Sequence, residues 1–148
     1  METISEKENT IVEEFQIYDD WLDKYNYLIE MGKDLPQIDE KHKVKQNLIS
    51  GCQSSVWLHG AYRDGYVYFS ADSDAVITKG IVNLLIRVLS GQTPQAIIDA
   101  DLDFIDKIGL KEHLSPTRSN GLVSMIKQMK LYALAFKTKY ELKSENDG

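Results

Sequence analysis

An α+β fold follows from three features of this 148-residue sequence. Apolar residues recur at helical spacing before residue 32 and again after residue 75. Between those stretches lies a region rich in β-branched and aromatic residues, split by an Asp-Gly turn. The order describes a small antiparallel sheet of about three strands, a meander, flanked by helices that pack on one face.

The first helix is expected over residues 10–18, where Ile11, Phe15 and Tyr18 share a face. Asp19-Asp20 then offers an N-cap, with acids suited to a helix start. Trp21, Leu22, Tyr25, Leu28 and Ile29 share a face over about 20–31. Gly32 suits the position just past that helix, and Pro36 lies beyond. Aromatics at this spacing in an acidic segment read as core rather than as a base-stacking platform. Residues 33–46 read as a polar surface connection, with His42 a solvated loop histidine among Lys41, Lys43 and Lys45.

Residues 47–50 suit a short edge strand, 54–62 are rich in strand formers, Arg63-Asp64-Gly65 signals a hairpin, and 66–71 return. His59 falls inside a strand and reads as a packed residue. Asp72-Ser73-Asp74 offers caps for the next helix. Its stripe of Val76, Ile77, Ile81, Leu84, Leu85, Val88 and Leu89 is the most apolar in the chain, and this helix is expected to cross the sheet. Gly91 stops it. Thr93-Pro94 opens a short helix near 94–100, and residues 101–114 give one or two further turns broken by Gly109. Ser115-Pro116 starts the longest helix, whose Leu122, Met125, Ile126, Met129, Ala133 and Phe136 share a face up to about residue 143. Its methionines read as core gap-fillers. A single domain over 1–148 is expected, with an ordered core over 8–140 and a disordered tail over 144–148.

Composition excludes several classes of function. The net charge of −6 argues against nucleic acid as the main partner. Residues 1–40 carry twelve acids and three lysines, whereas 121–143 carry five lysines and one glutamate. The plain reading is two solvated faces of opposite sign; the sharper one is a docking surface for a charged protein. One cysteine cannot form an internal disulfide, and the polar, acidic start of the chain has no signal-peptide core. No apolar run is long enough to span a bilayer, so no membrane is expected and a cytoplasmic protein is. The phosphate-binding, dinucleotide-binding, zinc-protease and nucleophile-elbow motifs are absent, and His42, His59 and His113 lack metal-ligand spacing. No cofactor or metal of its own is expected.

The remaining candidate is Cys52, the only cysteine, in Gly51-Cys52-Gln53-Ser54-Ser55-Val56-Trp57. It sits at an expected turn, where chains present functional groups. Gly51 permits unusual backbone angles there, and Ser54 and Ser55 can hydrogen-bond the turn. Two readings stand on the residues: a reactive thiol on a loop, or an incidental residue at a strand start. A cysteine hydrolase needs a histidine poised beside the sulfur, and no spacing singles one out. The pattern favours a thiol that carries something over one that hydrolyses.

This segment resembles the G-C-Q-S-x-V-W signature of the SufE-type sulfur acceptors of iron–sulfur cluster assembly. Asp72-Ser73-Asp74-Ala75-Val76-Ile77-Thr78-Lys79-Gly80 resembles the family's D-S-D-A-x-x-x-K-G segment. Leu114-Ser115-Pro116-Thr117-Arg118-Ser119-Asn120-Gly121-Leu122 resembles its L-[ST]-P-x-R-x-x-G-[LM] segment. Trp21, Tyr25 and the Gly32 to Pro36 region also match, so the likeness covers about residues 8–140. It implies a SufE/NifU-like fold, although U-type scaffold proteins carry three cysteines and this chain one. It implies that Cys52 takes persulfide sulfur from a SufS-type cysteine desulfurase, whose pyridoxal phosphate belongs to that partner, stimulates the enzyme, and passes sulfur to downstream scaffold proteins. The protein is then a persulfide carrier, an accessory rather than a stand-alone enzyme, and a monomer or weak homodimer. In such proteins the resting thiol is tucked toward an apolar pocket and the loop opens on docking. Asp74 and Arg118 match positions used around the loop and partner surface, with a helix cap and a surface ion pair as the plain alternatives. Gly51 and Gln53 support the loop. The competing reading is a non-catalytic interaction module with an incidental thiol.

Overall fold

The computed structural model describes residues 2–52 and 54–142. The elements in chain order are α1 (Ile4–Gln16), α2 (Trp21–Gly32), β1 (Val56–Arg63), β2 (Tyr66–Ser73), α3 (Val76–Leu89), α4 (Pro94–Asp99), α5 (Phe104–Lys107) and α6 (Pro116–Phe136). Wider π-type turns continue α6 over Lys137–Leu142, and short 3-10 turns occupy Glu40–His42, Lys45–Asn47 and Lys111–His113. The expected tail over 144–148 lies outside the described residues.

The sheet has two antiparallel strands, paired from Val56↔Ser73 to Arg63↔Tyr66. Asp64 (φ 53°) and Gly65 (φ 94°) both take the left-handed region, which a tight hairpin turn of the I′ type requires. The third strand expected over 47–50 is reduced to one bridge, Leu48 to Trp57, with the Ile49 amide donating to the Val56 carbonyl at 2.9 Å. A 3-10 turn ends at Asn47 and Gly51 turns the chain away at φ 83°, so the extended run is too short for a ladder.

α3 is buried over most of its length, with Leu84, Leu85, Val88 and Leu89 at 1% exposure or less. Each such side chain contributes about 1.5–3 kcal/mol through burial. The apolar sheet face (Val56, Leu58, Val67, Phe69, Ala71) joins α3 and the inner residues of α6 (Leu122, Met125, Met129, Ala133) in one core. Two expected core positions fail: Leu22 and Val76 are 70% and 60% exposed. Both occupy the first turn of their helix and point away from the core that Trp21 and Ile77 beside them pack against.

α2 lies unusually close to α3. Gly32, expected just past α2, is its last residue, and a Cβ there would lie 2.8 Å from the Gly80 amide nitrogen. A Cβ on Gly80 would overlap the Leu28 carbonyl. Two glycines thus bring the helix backbones together, and the buried Asn83 donates to the Met31 carbonyl at 2.7 Å across the same seam. α1 is tied to α3 by Arg87, which donates to both carboxylate oxygens of Glu14 at 3.1 and 2.6 Å. Tyr27 also donates to Glu14. Burial opposes the Glu14 charge, but the Arg87 and Tyr27 hydrogen bonds outweigh it and hold the carboxyl below its usual range. Burial and the Glu14 neighbour push the Tyr27 phenol up to about 12.

The outward sheet face is covered by the segment between α2 and the cysteine, a strap over residues 37–48. Lys43 lies over the Trp57 ring at 4.7 Å, and the His42 and His59 rings stack at 3.7 Å. His42, expected to be solvated, is therefore half-buried on the sheet. At the strap's start the Ile38 amide donates to the Ala71 carbonyl, and the Ala71 amide donates to the Pro36 carbonyl.

Gly80→Ala is expected to destabilise the protein by at least about 2 kcal/mol, because two helix backbones must move apart to admit a methyl group. Urea denaturation measures it. An unchanged midpoint would contradict the close α2–α3 contact.

Candidate functional site

Cys52 follows a left-handed glycine and is seated against α6. A Cβ on Gly51 would lie 3.2 Å from Ser124 Oγ, so the turn presses on that helix. The Cys52 thiol donates a weak hydrogen bond to the Gly121 carbonyl at 3.8 Å. A Cβ at Gly121 would lie 3.2 Å from the sulfur, so this glycine leaves the room the thiol occupies.

Two spaces adjoin the sulfur. The inner one, about 10 Å³, is lined by Ser54, Thr78, Ile81, Thr117, Arg118, Gly121 and Met125. That is at the lower edge of what admits one water. The outer one is an open cleft of about 380 Å³ beside Lys45, Leu48, Ser50 and Ser55. Burial pushes the Cys52 thiol above its ordinary acidity range. At neutral pH the resting group is a protonated thiol, and the thiolate requires exposure or a cation brought closer.

Asp72, Ser73 and Asp74, at the junction of β2 and α3, hold both flanks of the cysteine loop. After the cysteine, Asp74 Oδ1 accepts from the Ser55 amide at 3.1 Å, the Asp74 amide donates to the Ser55 carbonyl, and Ser73 Oγ donates to the same carbonyl at 2.8 Å. Before it, buried Asp72 pairs with the strap's Lys43 at 2.8 Å and with Lys79 at 3.5 Å. Burial works against the Asp72 charge, yet the hydrogen bonds from Lys43, Ser73 and Gln37 outweigh it and hold the carboxyl below its usual range. The cap of α3 is Ala75, whose amide donates to Ser73 Oγ. Asp74 therefore grips the loop rather than capping the helix.

Arg118 lines the inner space and donates to Thr78 Oγ1 at 3.2 Å. Among the described residues it forms no ion pair. Cys52, Gly51, Asp74 and Arg118 thus belong to one neighbourhood, while Gln53 lies outside the described residues. Thr78, Gly121 and Met125 join the site without having been singled out. The visible signal was Gly121, a glycine inside a long helix, which marks a close approach.

No histidine is among the described residues lining either space. His42 and His59 face each other, and His113 stacks on Trp21 at 4.0 Å. Among the described residues, none of the three histidines is therefore placed to activate the thiol as a base. No group of three metal-ligating side chains occurs among the described residues. Within the same limits, no helix is long and apolar enough to cross a membrane.

A model of the SufE family, described as an Fe-S metabolism associated domain, matches residues 9–133. The chain belongs to the SufE family. An uncharacterized SufE-like protein of Rhizobium meliloti is 42% identical over 125 residues, covering 81% of this chain and 89% of its own length. A second, from Synechocystis, is 40% identical over 126 residues, covering 85% and 79%. The Arabidopsis thaliana protein named SufE-like protein 1, chloroplastic/mitochondrial, is 37% identical over 149 residues, and the match spans 39% of its length. The solution structure of a hypothetical protein from Thermus thermophilus superposes with a TM-score of 0.75 over 90% of this chain and 97% of that one, at 22% identity, and so shares the fold. The SufE match contains the whole neighbourhood of Cys52, Asp74 and Arg118 and ties the domain to iron–sulfur metabolism.

Two outcomes follow from the geometry. Asp74→Ala should raise the rate of Cys52 alkylation in the folded protein roughly tenfold, since loss of a charge-assisted bond is worth about 1.5 kcal/mol. An unchanged rate would mean that the Ser55 contact does not restrain the loop. The raised thiol pKa also has a stability consequence: its contribution is complete below the unfolded pKa of about 8.5 and is lost as pH rises through the higher folded value. Wild type should therefore lose urea stability between pH 7 and pH 10 relative to Cys52→Ser, and equal losses would refute the burial of the sulfur.

Proposed function

We propose that Cys52 accepts persulfide sulfur from a cysteine desulfurase, that docking stimulates the desulfurase, and that the sulfur then passes to iron–sulfur cluster assembly. The observation that carries this reading is the lone thiol itself, half-buried against α6 with little free space on its inner side, on a loop held by few bonds in a domain of iron–sulfur metabolism.

The transfer balances without an external oxidant. The desulfurase carries a cysteine persulfide, and the Cys52 thiolate attacks its outer sulfur. A sulfur–sulfur bond forms at Cys52 as the partner's sulfur–sulfur bond breaks, and the partner cysteine leaves as thiolate to take up a proton. A second step of the same kind hands the sulfur to the next thiol. The chain acts as a carrier, and the pyridoxal phosphate that makes the persulfide belongs to the desulfurase.

Desolvation keeps the resting sulfur protonated and poorly nucleophilic. The inner space of about 10 Å³ leaves no room for a second sulfur. A second sulfur is therefore received on the side of the outer cleft or with the loop lifted from α6, and lifting relieves the desolvation that holds the thiol protonated.

Incubation with a SufS-type desulfurase and cysteine, followed by intact mass, should show one or more sulfur atoms added to this chain and a several-fold faster desulfurase. Cys52→Ser should abolish both. A wild-type protein that gains no sulfur and leaves turnover unchanged would refute the proposal, and full biological activity of Cys52→Ser would favour an interaction module with an incidental thiol.

A further inference from the structure

We propose that the stacked His42–His59 pair is an acid-sensitive latch on the strap that leads into the Cys52 loop. The proposal concerns regulation of the site described above and takes its relevance from the sulfur-acceptor reading, although the latch can be tested without it. The two rings lie 3.7 Å apart and 7° from parallel, one on the strap and one on β1. Neutral imidazoles stack well in this arrangement. Protonating both would place two positive charges face to face, so acid favours separation. The rings are parallel planes in contact, so one metal ion cannot lie in the plane of both, which excludes a shared metal as the reason for the pairing.

The surroundings of His59 oppose a proton on its ring. Burial comes first, His42 and Lys41 act in the same direction, and Asp39 alone works against them. From β2, the cross-strand neighbour of His59 is the uncharged Ser70. The next charges are Lys43 on the strap, paired with Asp72 of β2, and Lys79 of α3 beyond it. Lys45 follows on the strap, and α6 contributes the titratable Tyr132 through its bond to Asn47. Because His59 gains a proton less readily when packed, the latch is complete at and above neutral pH and weakens as pH falls below the ordinary histidine range. Asp72 stays charged throughout that interval, so its grip on Lys43 does not contribute the effect.

The path from latch to cysteine is continuous. Asn47 Nδ2 donates to the His42 carbonyl at 2.6 Å, and Asn47 Oδ1 accepts from Tyr132 of α6 at 3.3 Å. Leu48 bridges Trp57 and Ile49 bonds Val56, three residues before Cys52. If His42 lifts, Asn47 loses one of its two partners, and the strap end that seats Leu48 and Ile49 is loosened.

Amide hydrogen exchange of the full chain at pH 5.5, 6.5 and 7.5, with times scaled for intrinsic exchange, tests the latch. Opening of residues 38–50 should rise severalfold toward pH 5.5, roughly tenfold per unit by which packing lowers the pKa, with α3 unaffected. His59→Gln and, separately, His42→Gln should remove that dependence. A wild type with no pH dependence, or variants that retain it, would overturn the proposal. If either variant fails to fold, the histidine ring signals of wild type decide: coupled titrations support the latch, and independent ones reject it. Alkylation of Cys52, compared at equal thiolate fraction, should rise with strap opening. If the strap opens and alkylation does not, the latch does not govern the site. Loss of sulfur transfer alone would reject the acceptor reading and leave the latch standing.

Discussion

The junction between β2 and α3 is the constraint on which the site depends. Three consecutive side chains leave a strand and enter a buried helix, and between them they reach both flanks of the cysteine. Asp72 takes the strap through Lys43 and the first turn of α3 through Lys79, whereas Ser73 and Asp74 take Ser55. The strand and helix on either side are fixed by core burial, so the junction cannot drift. Segments with little regular structure of their own, the strap and the cysteine loop, are positioned by a rigid corner. A buried carboxylate such as Asp72 is tolerated because two ammonium groups and a backbone amide satisfy it.

Burial of Cys52 sets protection against reactivity. A desolvated sulfur is held protonated and unreactive, and one in solvent is reactive and exposed to oxidation. A fixed structure cannot provide both. The weak thiol contact with the Gly121 carbonyl and the close seat at Ser124 position the loop without locking it. Arg118 lines the same small space and is hydrogen-bonded to Thr78 there.

The hairpin and the major helices were legible because their signals are local. Asp64-Gly65 specifies a turn through backbone angles alone, and the apolar stripe of α3 has a single period. The earlier start of α1 was also written in the sequence: Thr3 accepts from the Glu6 amide, and Thr-x-x-Glu is a capping pattern. What escaped was long-range. Gly32 reads as a helix stop until Gly80, distant in sequence, shows that it is a contact surface. His42 reads as solvated because its neighbours are lysines, and only the fold lays it on His59. The strand expected at 47–50 fails because a 3-10 turn and Gly51 bracket it. Around the cysteine, motif likeness located Asp74 and Arg118, but their bonds to Ser55 and Thr78 belong to the fold.

The distribution of stability in this chain follows from the same difference. α3 and the sheet are held by many buried apolar side chains, so their opening approaches the global unfolding cost of about 5–15 kcal/mol. The cysteine loop is held by a few hydrogen bonds worth roughly 1 kcal/mol each, one of them a weak sulfur contact. Its opening therefore lies far below global unfolding, within reach of a partner that binds the open form more tightly. A partner that bound both forms equally would not move the loop, however tightly it docked. Opening would free the groups that the closed loop occupies, among them Ser55 and its two partners at the β2–α3 corner, Ser73 and Asp74.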